Sequence, residues 1–460
     1  MRPLLCALVL AACSHRPPVA TPPAATISLP EPAPAPPPLP LPEGVPDTVA
    51  GHQLAWVLDV LARDGSVEKP ALEAHFSPTF LAQVPADKLA TAFAQLASHV
   101  GGMKIADVKA KDENHLVLRG SAPDGRFAIT LAVGASEKIE GLLILPDTGG
   151  RPASMDDATR MLAAVAPRTQ LLVAALDRGT CRPVFQLNAT DELAIGSIFK
   201  LYVLLGLADR IAAGKARWDD TLAVRDDWKS LPSGVTQDDP AGTRLSIREL
   251  AERMISISDN TAADLLLYTV GRRTVEAAMR RTGHALPRLN TPFLGTRELF
   301  WFKLAMPVAD VEKYLDMPLA QRRKFLRGLA GKVPTMEHVD EWKTPRFINR
   351  LEWFASAADL CRLEGALWSR AQKRKAAPLL DVLAKNAGLD AEAKAGWSYV
   401  GFKGGSEPGV MALSWLLRRT DGKWFVVTLA ANGPDAIDEG ALLGIAYGVI
   451  QILAKEGHAP

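Results

Sequence analysis

The chain has 460 residues, 48% hydrophobic and 23% charged, which is enough apolar material for packed cores and excludes a chain disordered throughout. Lys and Arg number 53 against 51 Asp and Glu, so the formal charge is +2 and lacks the basic excess with which nucleic-acid binders displace counterions. The 8 histidines stand apart from one another and the 4 cysteines form no C-x-x-C, so neither a metal site nor a cofactor is expected.

Residues 1–12 read as a signal peptide. Arg2 supplies the positive start, and Leu4–Ala12 is an apolar stretch too short to span a bilayer. Leu10-Ala11-Ala12-Cys13 resembles the lipobox of bacterial lipoproteins, in which a lipid is attached to the cysteine thiol. Residues 13–47 follow as a tether. Positions 17–46 hold 13 prolines, a composition that packs no core and extends as polyproline II. The expected location is therefore the bacterial cell envelope, lipid-anchored and facing the periplasm. An oxidising periplasm permits a disulfide between Cys181 and Cys361; two buried free thiols are the other possibility.

Residues 48–147 form a first folded body. Leu54, Val57, Leu58, Val60 and Leu61 recur at helical spacing, and Leu89, Phe93, Leu96 and Val100 line one face of a second helix. Four strand-like runs follow at 105–109, 115–118, 127–133 and 139–145, which predicts a small α+β domain. Asp112, Glu113 and His115 fall in a turn, where solvated charge is the usual explanation.

Residues 150–460 form the larger body. A hairpin is expected over 171–176 and 184–187. Helical patterns run through 201–213, 247–267 and 355–367, strands return at 413–417 and 424–430, and a last helix covers 441–454. Strands at both ends with helices between predict an α+β fold, an antiparallel sheet packed on a helical region.

Three short motifs occur in this body. Ser197-Ile198-Phe199-Lys200 opens an apolar helix, where a serine meets unpaired N–H groups and the lysine lies one turn on. The spacing alone says little, because Ser66-Val67-Glu68-Lys69 repeats it in a polar turn. Ser258-Asp259-Asn260 interrupts an apolar helical pattern with three polar residues, which is unfavourable unless they cap or line a site. Lys403-Gly404-Gly405-Ser406 carries two glycines that let backbone approach a ligand closely.

Together the motifs resemble the S-x-x-K, S-D-N and K-T-G signature of class A β-lactamases and penicillin-binding proteins. Order and spacing agree, with 61 positions from Ser197 to Ser258. The segment HFSPTFLAQVPADKLATAFAQL is similar to the N-terminal domain of two-domain β-lactamase-like hydrolases typified by one from the clavulanic acid cluster, a domain with the cone-shaped steroid-isomerase fold. The resemblance implies Ser197 as nucleophile, Lys200 as its base and Ser258 as proton relay. It further implies Asn260, Lys403, Gly404, Gly405 and Ser406 as substrate-binding residues, with an oxyanion hole made by the N–H groups of Ser197 and Ser406.

The middle residue of the third motif is Gly404 rather than Thr or Ser, and no segment matches the family's deacylating E-x-x-L-N. The best candidate for the deacylating base is Glu298, in Gly295-Thr296-Arg297-Glu298-Leu299; a structural Arg297–Glu298 loop is the alternative. Residues 301–350 read as an insertion. The leading expectation is a serine hydrolase acting on a β-lactam. A D-Ala-D-Ala carboxypeptidase or esterase shares the machinery. A non-catalytic envelope module binding cell-wall peptide would use the same groove without forming an adduct.

Overall fold

The computed structural model describes residues 39–122, 125–147 and 150–455; the segment 1–12 read as a signal peptide, Cys13, and the segment read as a tether up to residue 38 lie outside them. The chain divides into two compact units at Gly149/Gly150.

In the first unit, helix Val49–Ala62 begins at Thr48, whose hydroxyl accepts from Gly51 N at 3.1 Å. A longer helix, Ala86–Val100, and four antiparallel strands follow: Lys104–Asp112, His115–Ala122, Gly125–Val133 and Ile139–Pro146. Period-two alternation buries Leu116, Leu118, Ile129 and Leu131 against Leu54, Val57 and Phe93 from the helices. His115 meets Asp112 at 2.7 Å in the exposed turn between two strands.

The second unit is built on a five-stranded antiparallel sheet. Its strands, in spatial order, are Trp397–Glu407, Val410–Arg419, Trp424–Asn432, Arg168–Asp177 and Thr180–Leu187. One face carries Leu171, Val173, Leu413, Trp415, Val427 and Leu429 against the C-terminal helix Glu439–Lys455. The other carries Leu172, Ala174, Ala412, Leu416, Val426 and Ala430 against the helical region, which includes Lys200–Ala212 and Ala357–Ala371. Alternate residues of the three inner strands, Val410–Arg419, Trp424–Asn432 and Arg168–Asp177, thus serve two cores, which is why they read as nearly continuous apolar runs. Cys181 and Cys361 are disulfide-bonded, joining the edge strand to helix Ala357–Ala371. Among the described residues, no helix is long and apolar enough to cross a membrane.

The single helix expected over 247–267 is two helices, Ile247–Ser256 and Asn260–Val270. The break has a local cause. Ser258 sits in the left-handed region at φ 57°, and Asp259 caps the second helix by accepting from Ala262 N at 2.8 Å. The third motif, for which no strand was expected, lies on the strand Trp397–Glu407. The 301–350 stretch contains a π-helical turn at Trp301–Ala305 and helices Val308–Asp316, Leu319–Gly328 and Met336–Asp340.

Candidate active site

Ser197 lies in a 3-10 turn, Gly196–Phe199, that runs into helix Lys200–Ala212. Gly196 has φ 48°, and a Cβ there would stand 3.2 Å from Gly405 C and Ser406 N. A Cβ on Gly405 would come within 2.4 Å of Ser197 N. Glycine on both sides therefore lets the strand edge at Gly405-Ser406 press directly onto the serine turn. By contrast, Ser66 is exposed at a polar turn, its N–H on Asp64, and shares only the spacing.

Lys200 is wholly buried and gathers the motifs. Its Nζ lies 3.1 Å from Ser197 Oγ, 3.0 Å from Ser258 Oγ, 2.6 Å from Ser258 O and 2.7 Å from Asn260 Oδ1. Burial, and then the nearby Lys403 charge, hold its pKa well below the ordinary lysine value, against the opposing pull of Asp259 and Asp264. A neutral amine fits the contacts. Its two hydrogens point to Ser258 O and Asn260 Oδ1, which leaves the lone pair for a serine hydroxyl.

Lys403 approaches Ser258 from the other side. Its Nζ is 3.1 Å from Ser258 Oγ and also bonds Gly404 O. It too is buried, and desolvation brings its pKa down to about 7. Ser197, Lys200, Ser258 and Lys403 thus form one continuous hydrogen-bonded row.

The row is held by contacts between the Ser258-Asp259-Asn260 motif and a loop, 231–236, that the sequence reading did not single out. Asp259 Oδ2 accepts from Val235 N, Thr236 N and Thr236 Oγ1 at 2.9, 2.9 and 2.7 Å, which pins the 231–236 loop. Ser233 Oγ donates to Ser258 O at 2.6 Å, fixing the strained serine, and Asn260 Nδ2 donates to Leu231 O at 3.1 Å. Thr236 and Asp259 are fully buried, so these bonds are shielded from water. Beyond Ser406, Glu407 is bound to buried Lys303 of the 301–350 stretch, whose Nζ also meets Glu352 at 2.5 Å.

Glu298 is not brought to this row. Both its oxygens are held by Arg272, at 2.8 and 2.9 Å, and Oε2 also accepts from Gly295 N at 2.8 Å. A carboxylate locked in a buried bidentate pair is poorly placed to activate water, and its partner is Arg272 rather than the adjacent Arg297. Arg297 instead donates to the carbonyls of Leu329 and Lys332.

One group of metal-ligand types converges among the described residues: Glu192, His284 and Asp359 bring ligand atoms within 4.8 Å of one another. The lone pairs of Asp359 and His284 are largely spent, whereas both Glu192 oxygens are buried without a hydrogen-bond partner among the described residues. Asp359 accepts from Ser356 N, Ser356 Oγ, Ala285 N and Arg362, while His284 Nδ1 accepts from Leu286 N. Burial and the Asp359 charge push the Glu192 carboxyl well up. A shared proton therefore satisfies this cluster better than a metal ion.

A buried Ser–Lys–Ser row at the end of an antiparallel sheet, flanked by a helical region, defines a serine hydrolase of the β-lactamase and transpeptidase type. The chain belongs to the β-lactamase enzyme family, whose profile matches residues 154–396. Residues 45–139 match a second family, the N-terminal region of the ORF 12 gene product. No curated protein matches the chain. Similar solved structures include a β-lactamase from Sphaerobacter thermophilus DSM 20745, at 18% identity over 67% of this chain and 100% of that one, TM-score 0.46. PBP-A is similar at 17% identity over 67% and 97%, TM-score 0.44. A reconstructed class A β-lactamase of the last common ancestor of Gram-negative bacteria is similar at 18% over 66% and 98%, TM-score 0.46.

Proposed function

We propose that Ser197 forms an acyl-enzyme with β-lactams and that the protein hydrolyses them. The observation that carries this reading is the position of Lys200 Nζ, buried and within 3.1 Å of Ser197 Oγ and 3.0 Å of Ser258 Oγ. Ser197 Oγ attacks the carbonyl carbon while its proton passes to the Lys200 lone pair. The oxyanion that develops is held by the N–H groups of Ser197 and Ser406. The proton then moves through Ser258 Oγ to the leaving nitrogen as the C–N bond breaks. Lys403 supports Ser258 and receives a substrate carboxylate, and Asn260 fixes Lys200 and reaches the substrate amide.

A second reading is a D-Ala-D-Ala carboxypeptidase or an esterase with the same acylation steps. The engagement of Glu298 by Arg272 favours it, because it leaves deacylation without the expected base. Turnover of a chromogenic cephalosporin and of an activated ester, each with wild type and Ser197→Ala, separates the readings. Loss of cephalosporin turnover by a factor of about 10³ or more in the variant supports the first. Loss of ester turnover alone supports the second, and unchanged rates on both would remove Ser197 as nucleophile.

The same proposal keeps the protein lipid-anchored at Cys13 in the cell envelope, facing the periplasm, on the strength of the Leu10-Ala11-Ala12-Cys13 motif and the proline-rich stretch behind it. Release of the Cys13→Ala protein from washed membranes would support the anchor; retention equal to wild type would contradict it.

A further inference from the structure

A cleft of about 620 Å³ opens in the second unit, apart from the Ser197–Lys200–Ser258–Lys403 row. Arg272, Arg273, Arg297, Arg323 and Arg327 line it, and the one carboxylate in its wall is Glu298. Glu298 is consumed by Arg272, and Arg323 is paired with Glu276 at 2.5 Å. Five guanidinium groups less these two carboxylates leave three, Arg273, Arg297 and Arg327, without an ion pair among the described residues.

The three differ in a useful way. Arg297 is buried at 4% exposure, yet its guanidinium donates only to the carbonyls of Leu329 and Lys332, and its Nε has no partner. A desolvated guanidinium with no carboxylate in hydrogen-bond reach, compensated only at longer range by Asp264 and Asp227, raises the potential of the space beside it. Arg273 and Arg327 make no ion pair or hydrogen bond among the described residues, so their forks are available. Trp228 and Tyr268, edge to face at 5.1 Å, supply an apolar wall. Two other acids stand nearby: Asp227 is engaged by Arg225 at 2.9 and 3.0 Å, and buried Asp264 accepts from the backbone N–H groups of Thr296 and Arg297 at 2.7 and 3.0 Å.

We infer that this cleft binds a small oxyanion of two or more negative charges, a phosphate ester or a polycarboxylate, with Arg273 and Arg327 as its direct contacts. The guanidinium fork matches both oxyanions in two-point contact, whereas a mono-anion would leave most of the charge unmet. Arg273 and Arg327 are exposed at the mouth of the cleft, and the buried Arg297 with the Trp228–Tyr268 wall behind them adds to the attraction. The inference is independent of the acyl-enzyme reading, since none of the residues of the row lines the cleft.

The test is calorimetric titration of the full chain with pyrophosphate and, separately, with citrate, at about 0.15 M salt so that diffuse attraction is screened. Wild type is expected to bind at least one of them saturably, with a Kd below about 1 mM. Pyrophosphate alone would identify a phosphate site and citrate alone a carboxylate site. The Arg273→Gln/Arg327→Gln double variant should bind at least about tenfold more weakly. Arg217→Gln, which removes a surface arginine paired with Asp219 and Asp220, should bind as wild type does. Turnover of ester or cephalosporin should be equal in all three proteins. If the double variant melts lower than wild type, each single variant should still weaken binding by about threefold. Absence of saturable binding to either anion, or equal affinity in the arginine variants, would overturn the inference.

Discussion

Gly405→Ala is the substitution whose effect follows most directly from the geometry. A Cβ at this position would stand 2.3 Å from Ile195 O and 2.4 Å from Ser197 N, both backbone atoms that cannot swing aside. Relief to an ordinary contact near 3.4 Å requires the strand edge and the serine turn to part by about 1 Å. That movement carries Ser406 N away from Ser197 N, so the two donors no longer converge on one oxygen. Losing one oxyanion donor typically costs about 3 kcal/mol in the transition state, or roughly 10²-fold in rate. Stopped-flow acylation by a chromogenic cephalosporin should slow by about that factor, with the thermal midpoint falling only slightly. Gly150→Ala is the control, because a Cβ there has nothing within 4 Å. If Gly405→Ala acylates at the wild-type rate while remaining folded, the oxyanion hole is not where the account puts it.

Three other outcomes are expected. Lys403 is at about 7, so its positive charge is present below that pH and lost above it; kcat/KM for a carboxylate-bearing β-lactam should therefore fall as pH rises through about 7, and Lys403→Arg should shift that limb upward. Glu298→Gln should leave acyl-enzyme breakdown unchanged but lower stability by about 3 kcal/mol in chemical denaturation, because Arg272 loses its charged partner. Glu364, buried between helix Ala357–Ala371 and Ser414, is raised to about 7 by desolvation; being an acid with a raised folded value, its neutral form supports the fold at low pH, and that contribution is lost as pH rises from about 4.5 through 7. Glu364→Gln should then be more stable than wild type above pH 7, by up to about 3 kcal/mol, and indistinguishable near about pH 4; equal pH profiles would refute the assignment.

The row of catalytic candidates was readable because each member belongs to a compact motif with its own local logic. Ser197 and Lys200 sit one helical turn apart, and three polar residues in an apolar helix announce a break. What holds the row is not local. Ser233 and Ser258 meet across 25 positions, and Lys303, Glu352 and Glu407 converge from three separate segments, so no sequence window contains either set. Glu298 illustrates the converse risk. Its neighbourhood suggested a catalytic loop, but the deciding contact is Arg272, 26 residues earlier and on another helix. The strand bearing Lys403 escaped because glycines at 401, 404 and 405 dilute its β signal, although those glycines are what allow it to press on the serine turn. The five arginines of the second cleft are scattered from 272 to 327 and come together only through the packing of helices.

The central claim is that Ser197 becomes acylated, and intact-mass measurement of the full chain with benzylpenicillin over time tests it directly. The account predicts a mass increase equal to the whole drug, located by digestion on the peptide containing Ser197 and absent from Ser197→Ala. No adduct at saturating drug, or an adduct that persists in Ser197→Ala, would contradict it.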